Sequence, residues 1–166
     1  MAAVLAYGPD AALSNRSAAA LRDLGPDNRL VSDVSLPRRS VRSRPGIIAH
    51  AAPSLTSADL SQHDGIPCTS VARTLLDLAA TVDRRGLERA IARAEMLRLF
   101  DLREVEELLA RANGHRGAGV FAAVLAGWAD HGSPRRAWRS ASSVPATLRG
   151  FPGLPLTPGL CFLTGR

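Results

Sequence analysis

The side chains best suited to bind another molecule lie in one short stretch, the proline-bounded segment PRRSVRSRPG. It carries Arg38, Arg39, Arg42 and Arg44. A guanidinium group donates two parallel hydrogen bonds to a phosphate, so this cluster could hold a nucleic-acid backbone. The alternative is a solvated connection between two strands, in which arginine discourages edge pairing. No aromatic residue is interleaved with the arginines for base stacking, which favours the alternative.

Two further charged groups have spacings that allow an interaction on a predicted helix. Arg73 and Asp77 lie four positions apart, where they would form a surface salt bridge worth about 0.3–0.5 kcal/mol. The alternative is a pair that orients groups inside a domain interface. Glu104, Glu106 and Glu107 suggest metal ligation, but they fall in a first helical turn, where acids stabilise the positive end of the helix dipole.

The histidines and cysteines form no pattern that is typical of catalysis or metal binding. His50 and His63 have no nucleophile at a useful spacing, and we interpret them as ordinary surface or core residues. His115 and Arg116 precede the last predicted helix, where they are solvated or contact a partner. We therefore predict no catalytic residue, no cofactor and no metal site, and no hydrolytic activity.

The net charge of +6 is unevenly distributed along the 166 residues. Residues 1–130 contain 16 arginines and all 15 acidic residues, whereas residues 131–166 contain five arginines and no acid. All basic residues are arginine, which together with abundant Ala, Gly and Pro is typical of a GC-rich genome. The first part is therefore nearly neutral, and we expect at most weak, sequence-independent binding of nucleic acid.

The sequence indicates a cytoplasmic protein that does not interact with a membrane. The N-terminus lacks the basic and apolar regions of a signal peptide. No apolar run reaches the roughly 20 residues that a membrane span needs. Without a signal peptide, a disulfide between Cys68 and Cys161 is not expected.

Short elements are predicted before the DG turn and longer helices after it. A first helix ends at Gly8, and Ser14 caps a second helix. The segments NRLVSDVSL and GIIAHAA, on either side of the arginines, favour strands. Asp64 and Gly65 form a strong turn signal.

After that turn the apolar spacing becomes helical. Thr69 or Ser70 can cap a helix whose apolar stripe continues past Gly86, which interrupts it only weakly. Asp101 caps the next helix, and a last helix covers about residues 117–129. These elements predict an α+β fold with a small, mostly antiparallel sheet and about five helices.

The C-terminal segment has a different character from the rest of the chain. Residues 133–166 contain five prolines and no acid, and neither helical nor alternating periodicity survives there. We predict that residues 131–166 are a disordered tail and that removal of residues 133–166 leaves folding intact. The abrupt change in composition also fits an out-of-frame stretch of GC-rich DNA.

Three stretches together resemble a known family. They are LSNRSAAALRDLG, GIPCTSVARTLLDLA and LERAIARAEMLRLFDLREVEELLARANGHRGAG. In this order they resemble the central region of bacterial AbiEi-type antitoxins and transcriptional regulators, many of which carry a C-terminal domain similar to very-short-patch-repair endonucleases. The resemblance covers about residues 1–130.

The resemblance implies a non-enzymatic central domain of a type IV toxin–antitoxin antitoxin or regulator. In the family this domain links a DNA-binding winged helix-turn-helix to the nuclease-like domain. Neither flanking domain is recognisable here, so we expect a chain truncated at both ends. The partners would then be a cognate toxin or the missing domains. The alternatives are an inactive remnant of a nuclease-bearing protein and a weak, Arg-rich nucleic-acid-binding module.

Overall fold

The computed structural model describes residues 2–130, which form a five-stranded sheet and six α-helices. The helices are α1 (Ala2–Leu5), α2 (Asn15–Leu21), α3 (Val71–Ala79), α4 (Arg84–Met96), α5 (Leu102–Arg111) and α6 (Ala118–Asp130). The strands are β1 (Ala12–Leu13), β2 (Ser32–Leu36), β3 (Ile47–Ala51), β4 (Leu60–His63) and β5 (Ile66–Thr69). A 3₁₀ helix, Ser57–Asp59, precedes β4. The α+β class is confirmed; the predicted tail and Cys161 lie outside the described residues.

The sheet is mixed, so the prediction of a mostly antiparallel sheet is wrong. Its strand order is β3-β2-β1-β5-β4. The β1–β2 and β4–β5 pairs are antiparallel, whereas β2–β3 and β1–β5 are parallel. The reason for the β2–β3 pair is the connection over residues 37–46, which returns the chain to the start of β2 before β3 begins. A two-residue hairpin turn cannot make that connection.

The predicted turn at Asp64 and Gly65 is confirmed, and it joins β4 to β5. Both residues have positive φ, at 49° and 72°. Two consecutive positive φ values match the right-handed twist of a hairpin, and Asp-Gly tolerates them well.

Side-chain caps start three of the four helices that follow the sheet, namely α3, α4 and α5. Ser70 accepts a hydrogen bond from the Arg73 amide, and Asp101 caps α5 in the same way. The helix does not run past Gly86 from α3: it stops at Ala79, and α4 begins anew because Asp83 accepts from the Gly86 amide. The weak interruption predicted at Gly86 is therefore a full break located before it.

Two apolar clusters form the core. The first packs α3, α4, α5 and α6 around side chains such as Leu75, Ile91 and Phe121, all fully buried. The second lies on one face of the sheet, where Val34 and Leu36 pack beneath α1 and α2. Because side chains alternate along a strand, the residues between them on β2 point to the other face, which is polar.

Gly117 sets the distance between α6 and α3. A Cβ at this position would lie 2.3 Å from the Leu76 carbonyl oxygen. The turn over residues 112–117 is thereby held against α3. Within residues 2–130, no helix combines the length and hydropathy that a bilayer crossing requires.

Candidate functional site

A cleft of about 470 Å³ opens between the polar side of β2 and β3, helix α3, and the C-terminal end of α5 with the turn after it. Its polar lining side chains come from all of these elements. They are Asn15, Ser35, His50, Ser54, Asp59, Arg73, Asp77, Thr81, Arg111, Asn113, His115 and Arg116. The cleft therefore gathers charged residues that lie far apart in the sequence.

Arg73 and Asp77 form a buried ion pair at the base of this cleft. Arg73 Nε lies 3.0 Å from Asp77 Oδ1, and each side chain is only 6% exposed. The surface salt bridge predicted from the sequence is wrong, because every residue of α3 is buried. Helices α2, α4, α5 and α6 all pack against α3, so it has no solvent face on which an exposed pair could lie.

His115 joins this pair from the turn before α6. Its Nε2 lies 3.2 Å from Asp77 Oδ1, and its Nδ1 accepts a hydrogen bond from the Gly117 amide at 3.1 Å. In the neutral ring the proton is therefore on Nε2, which donates to Asp77. Of the two residues in this turn, Arg116 is exposed and His115 is half-buried.

Asp59 is a second buried acid at the cleft, and sequence reasoning missed it. Its Oδ2 accepts hydrogen bonds from the Thr56 amide and hydroxyl at 2.8 and 2.9 Å. Its Oδ1 lies 2.9 Å from an Arg111 nitrogen, and Arg73 approaches within 3.9 Å. The Thr56–Asp59 spacing is a capping-box signal that could have located Asp59. Its pairing with Arg111 has no local signal.

Two carboxylate oxygens at the cleft, Asp59 Oδ1 and Asp77 Oδ2, accept no hydrogen bond from residues 2–130. Within residues 2–130, no group donates to Asp77 Oδ2, although the atom is buried. A buried acceptor without a donor costs about 1–3 kcal/mol, so the carboxylate is held there by Arg73 and His115 rather than by its own solvation.

Asn15 lies at the same cleft in an uncommon backbone conformation. Its φ is +49°, in the left-handed region, which asparagine adopts more readily than most residues. The residue is buried, and its side-chain amide donates to the Ser14 hydroxyl. Ser14 occupies the N-cap position of α2, but the predicted capping hydrogen bond is absent, because its hydroxyl instead accepts from Ser35 on β2. This link places the start of α2 against the polar face of the sheet.

His50 connects the cleft to a second ionic cluster. Its Nε2 lies 2.8 Å from Asp33 Oδ1, and Asp33 also contacts Arg29, which pairs with Asp27 at 2.8 Å. Burial raises the pKa of Asp33, but the hydrogen bonds from His50 and Arg29 and their charges outweigh burial, so the net pKa is lowered. For Asp27, burial likewise raises the pKa, and the hydrogen bonds from Arg29 and Ser17 outweigh it.

The other predicted ionisable residues do not join the cleft. His63 lies 3.9 Å from the exposed Asp64 at the hairpin turn. Glu104 is in the first turn of α5, as predicted, but Glu106 and Glu107 lie beyond that turn, so the prediction is wrong for these two. Within residues 2–130, no group of three or more His, Cys, Asp or Glu side chains could hold a metal ion.

The arginine cluster lies apart, on the loop over residues 37–46 that joins β2 to β3. All four guanidinium-bearing residues are exposed. An aromatic residue does lie among them: the Tyr7 hydroxyl donates to the Arg42 carbonyl at 2.6 Å, and Arg44 covers the ring 4.9 Å from its centre. Sequence reasoning missed this aromatic neighbour, because Tyr7 comes from the residues after α1, about 35 positions before the loop arginines.

Comparison with protein-family models and with curated proteins gives no match to this chain. The interpretation of its function therefore depends on how the residues are arranged.

Proposed function

We propose that this chain is a non-catalytic binding domain, equivalent to the central domain of an AbiEi-like type IV antitoxin or transcriptional regulator, acting in the cytoplasm. One observation carries the proposal. The three stretches that resemble the family meet at one cleft: the first contributes Asn15, the second Arg73 and Asp77, and the third Arg111 and His115.

Direct contacts join these stretches to one another. His115 of the third stretch pairs with Asp77 of the second. Arg93, also of the third, donates through Nε to the Asp23 carbonyl of the first at 3.0 Å. The three stretches are therefore parts of one folded unit. This supports the view that their resemblance to the family reflects a shared fold and not only a similar amino-acid composition.

The chemistry of the cleft favours recognition over catalysis. Both ring nitrogens of His115 are engaged, so the ring can act as a general base only by giving up one of these contacts. Asp59 and Asp77 are each paired with an arginine. Arg111 and Arg116 are exposed at the cleft, where they can contact a protein partner. A cognate toxin or an adjoining domain is the partner that the proposal implies.

The test is a growth assay with the gene that neighbours this one in its genome. Induced expression of that gene should arrest growth, and co-expression of the full chain should restore it. Arg116→Glu reverses a charge at the cleft and should abolish the rescue. Arg85→Glu makes the same charge change at an exposed position on α4 and should retain it. A neighbouring gene without effect on growth, or equal rescue by both variants, would contradict the proposal.

A further inference from the structure

We infer that the loop over residues 37–46 binds the phosphate backbone of duplex DNA, without sequence preference, at a site separate from the cleft. It exposes Arg38, Arg39, Arg42 and Arg44 on one short segment. In the part of the chain that the structure describes, Asp10 is the one carboxylate within ion-pair distance of them, 3.5 Å from Arg38. The loop therefore presents a positive charge that the fold leaves largely uncompensated.

Arginines elsewhere in the fold are used differently. Five of them form ion pairs with nearby carboxylates, namely Arg29, Arg73, Arg84, Arg93 and Arg111. Within residues 2–130, the guanidinium groups of the loop have only Asp10 as such a partner. Exposed guanidinium groups without carboxylates beside them are suited to phosphate oxygens, which they contact through two parallel hydrogen bonds.

The loop is also held in place at several points. Tyr7 donates its hydroxyl proton to the Arg42 carbonyl, and Arg44 and Ile47 exchange two backbone hydrogen bonds of 3.1 and 2.9 Å. The Val41 side chain packs against the apolar cluster beneath the sheet. A loop that is already ordered loses less conformational entropy on binding, so its arginines bind more tightly than those of a free segment.

The environment of Tyr7 favours a duplex over a single strand. Proteins that bind single strands stack the bases on free aromatic faces. Here the Tyr7 ring is half-buried, and Arg44 covers it. Within residues 2–130, the loop has no other aromatic neighbour to offer, so its contacts are with phosphates rather than bases.

The experiment measures binding of the full chain to a short random-sequence duplex by fluorescence anisotropy over a series of NaCl concentrations. Each arginine–phosphate contact contributes about 0.9 to the slope of log K against log salt. The double variant Arg39→Ala/Arg42→Ala should therefore reduce the slope by about 2. The control Arg85→Ala/Arg89→Ala removes the same charge from exposed positions on α4 and should leave the slope unchanged.

A third variant tests whether ordering of the loop contributes to binding separately from the arginine–phosphate contacts. Tyr7→Phe keeps the ring beneath Arg44 but removes the hydroxyl that holds the Arg42 carbonyl. We expect weaker binding with the wild-type salt slope, because the number of phosphate contacts is unchanged while the loop is less ordered.

Several results would overturn the inference. They are no binding at the lowest salt, an equal loss of slope in both double variants, and tighter binding of a single strand or of polyglutamate than of the duplex. None of them bears on the cleft, so the proposed function stands or falls independently.

Discussion

Single residues at the cleft show how a buried charge is stabilised by its neighbours. Asp77 is the one carboxylate that contacts both Arg73 and His115, and its second oxygen has no hydrogen-bond donor within residues 2–130. Removing it would leave the Arg73 guanidinium buried with only the more distant Asp59 nearby. Substitution of Asp77 should therefore lower the free energy of unfolding more than substitution of a residue in an exposed ion pair does.

We expect Asp77→Ala to lower the free energy of unfolding by about 3–5 kcal/mol, as measured in urea. The matched control is Glu88→Ala, which breaks the exposed Arg84–Glu88 pair of the same spacing on α4. That change should cost no more than about 0.5 kcal/mol. Equal losses in the two variants would show that the Asp77 cluster contributes nothing beyond a surface pair.

The close approach of α6 to α3 gives a second test at a single residue. Gly117→Ala would place a methyl group against the Leu76 carbonyl oxygen, so we expect a loss of about 1–3 kcal/mol in the free energy of unfolding. Gly119→Ala, two residues later, meets no atom within 4 Å. It should be neutral or stabilise the protein by up to about 1 kcal/mol, since alanine favours helix over glycine. Thermal unfolding of both variants distinguishes steric overlap from a general effect of the substitution.

Among the elements, α3 and α4 are separate helices that both pack into the same apolar cluster. Asp83 stabilises the break between them because its side chain satisfies an amide that the new helix would otherwise leave without an acceptor. Gly86 fits this arrangement, since a Cβ there would lie 2.7 Å from the Asp83 carboxylate oxygen.

We expect Asp83→Ala to lower the free energy of unfolding by about 1 kcal/mol, through loss of the cap. Asp83→Asn keeps a side-chain oxygen at the same place and should retain most of the stability. Urea unfolding of the two variants decides between a capping role and a purely electrostatic one. An electrostatic role would make them equally unstable.

Elements specified by neighbouring residues could be predicted from the sequence, and those specified by distant residues could not. Ser70, Asp101 and the Asp64–Gly65 turn act within a few positions of themselves, and the structure confirms all three. The burial of Arg73 and Asp77 was missed because it depends on elements that arrive from elsewhere in the chain. The parallel pairing of β2 with β3 was missed for the same reason.

For the whole molecule, the ionic cluster around Asp33 couples stability to pH. The pKa values of Asp33 and Asp27 are lowered in the folded state, where burial is outweighed by hydrogen bonds from His50, Arg29 and Ser17. A lowered folded-state pKa stabilises the protein above the unfolded value of about 3.9. That contribution disappears as the pH falls through the folded-state value.

We therefore expect the free energy of unfolding to decrease below about pH 4. Arg29→Met removes the guanidinium that contacts both Asp27 and Asp33. The free energy of unfolding of this variant should therefore decrease less steeply toward acid pH than that of the wild type. Urea unfolding between neutral and acid pH measures both curves. If they run parallel, Arg29 does not lower either pKa.

The shortest strand, β1, affects the order in which the sheet can form during synthesis of the chain. β1 consists of Ala12 and Leu13, yet Leu13 pairs with Val34 on one side and Cys68 on the other. Until Cys68 has left the ribosome, β1 can pair with β2 but not with β5, so the two halves of the sheet cannot yet join. Completion of the sheet during synthesis therefore waits for residues more than 50 positions beyond β1.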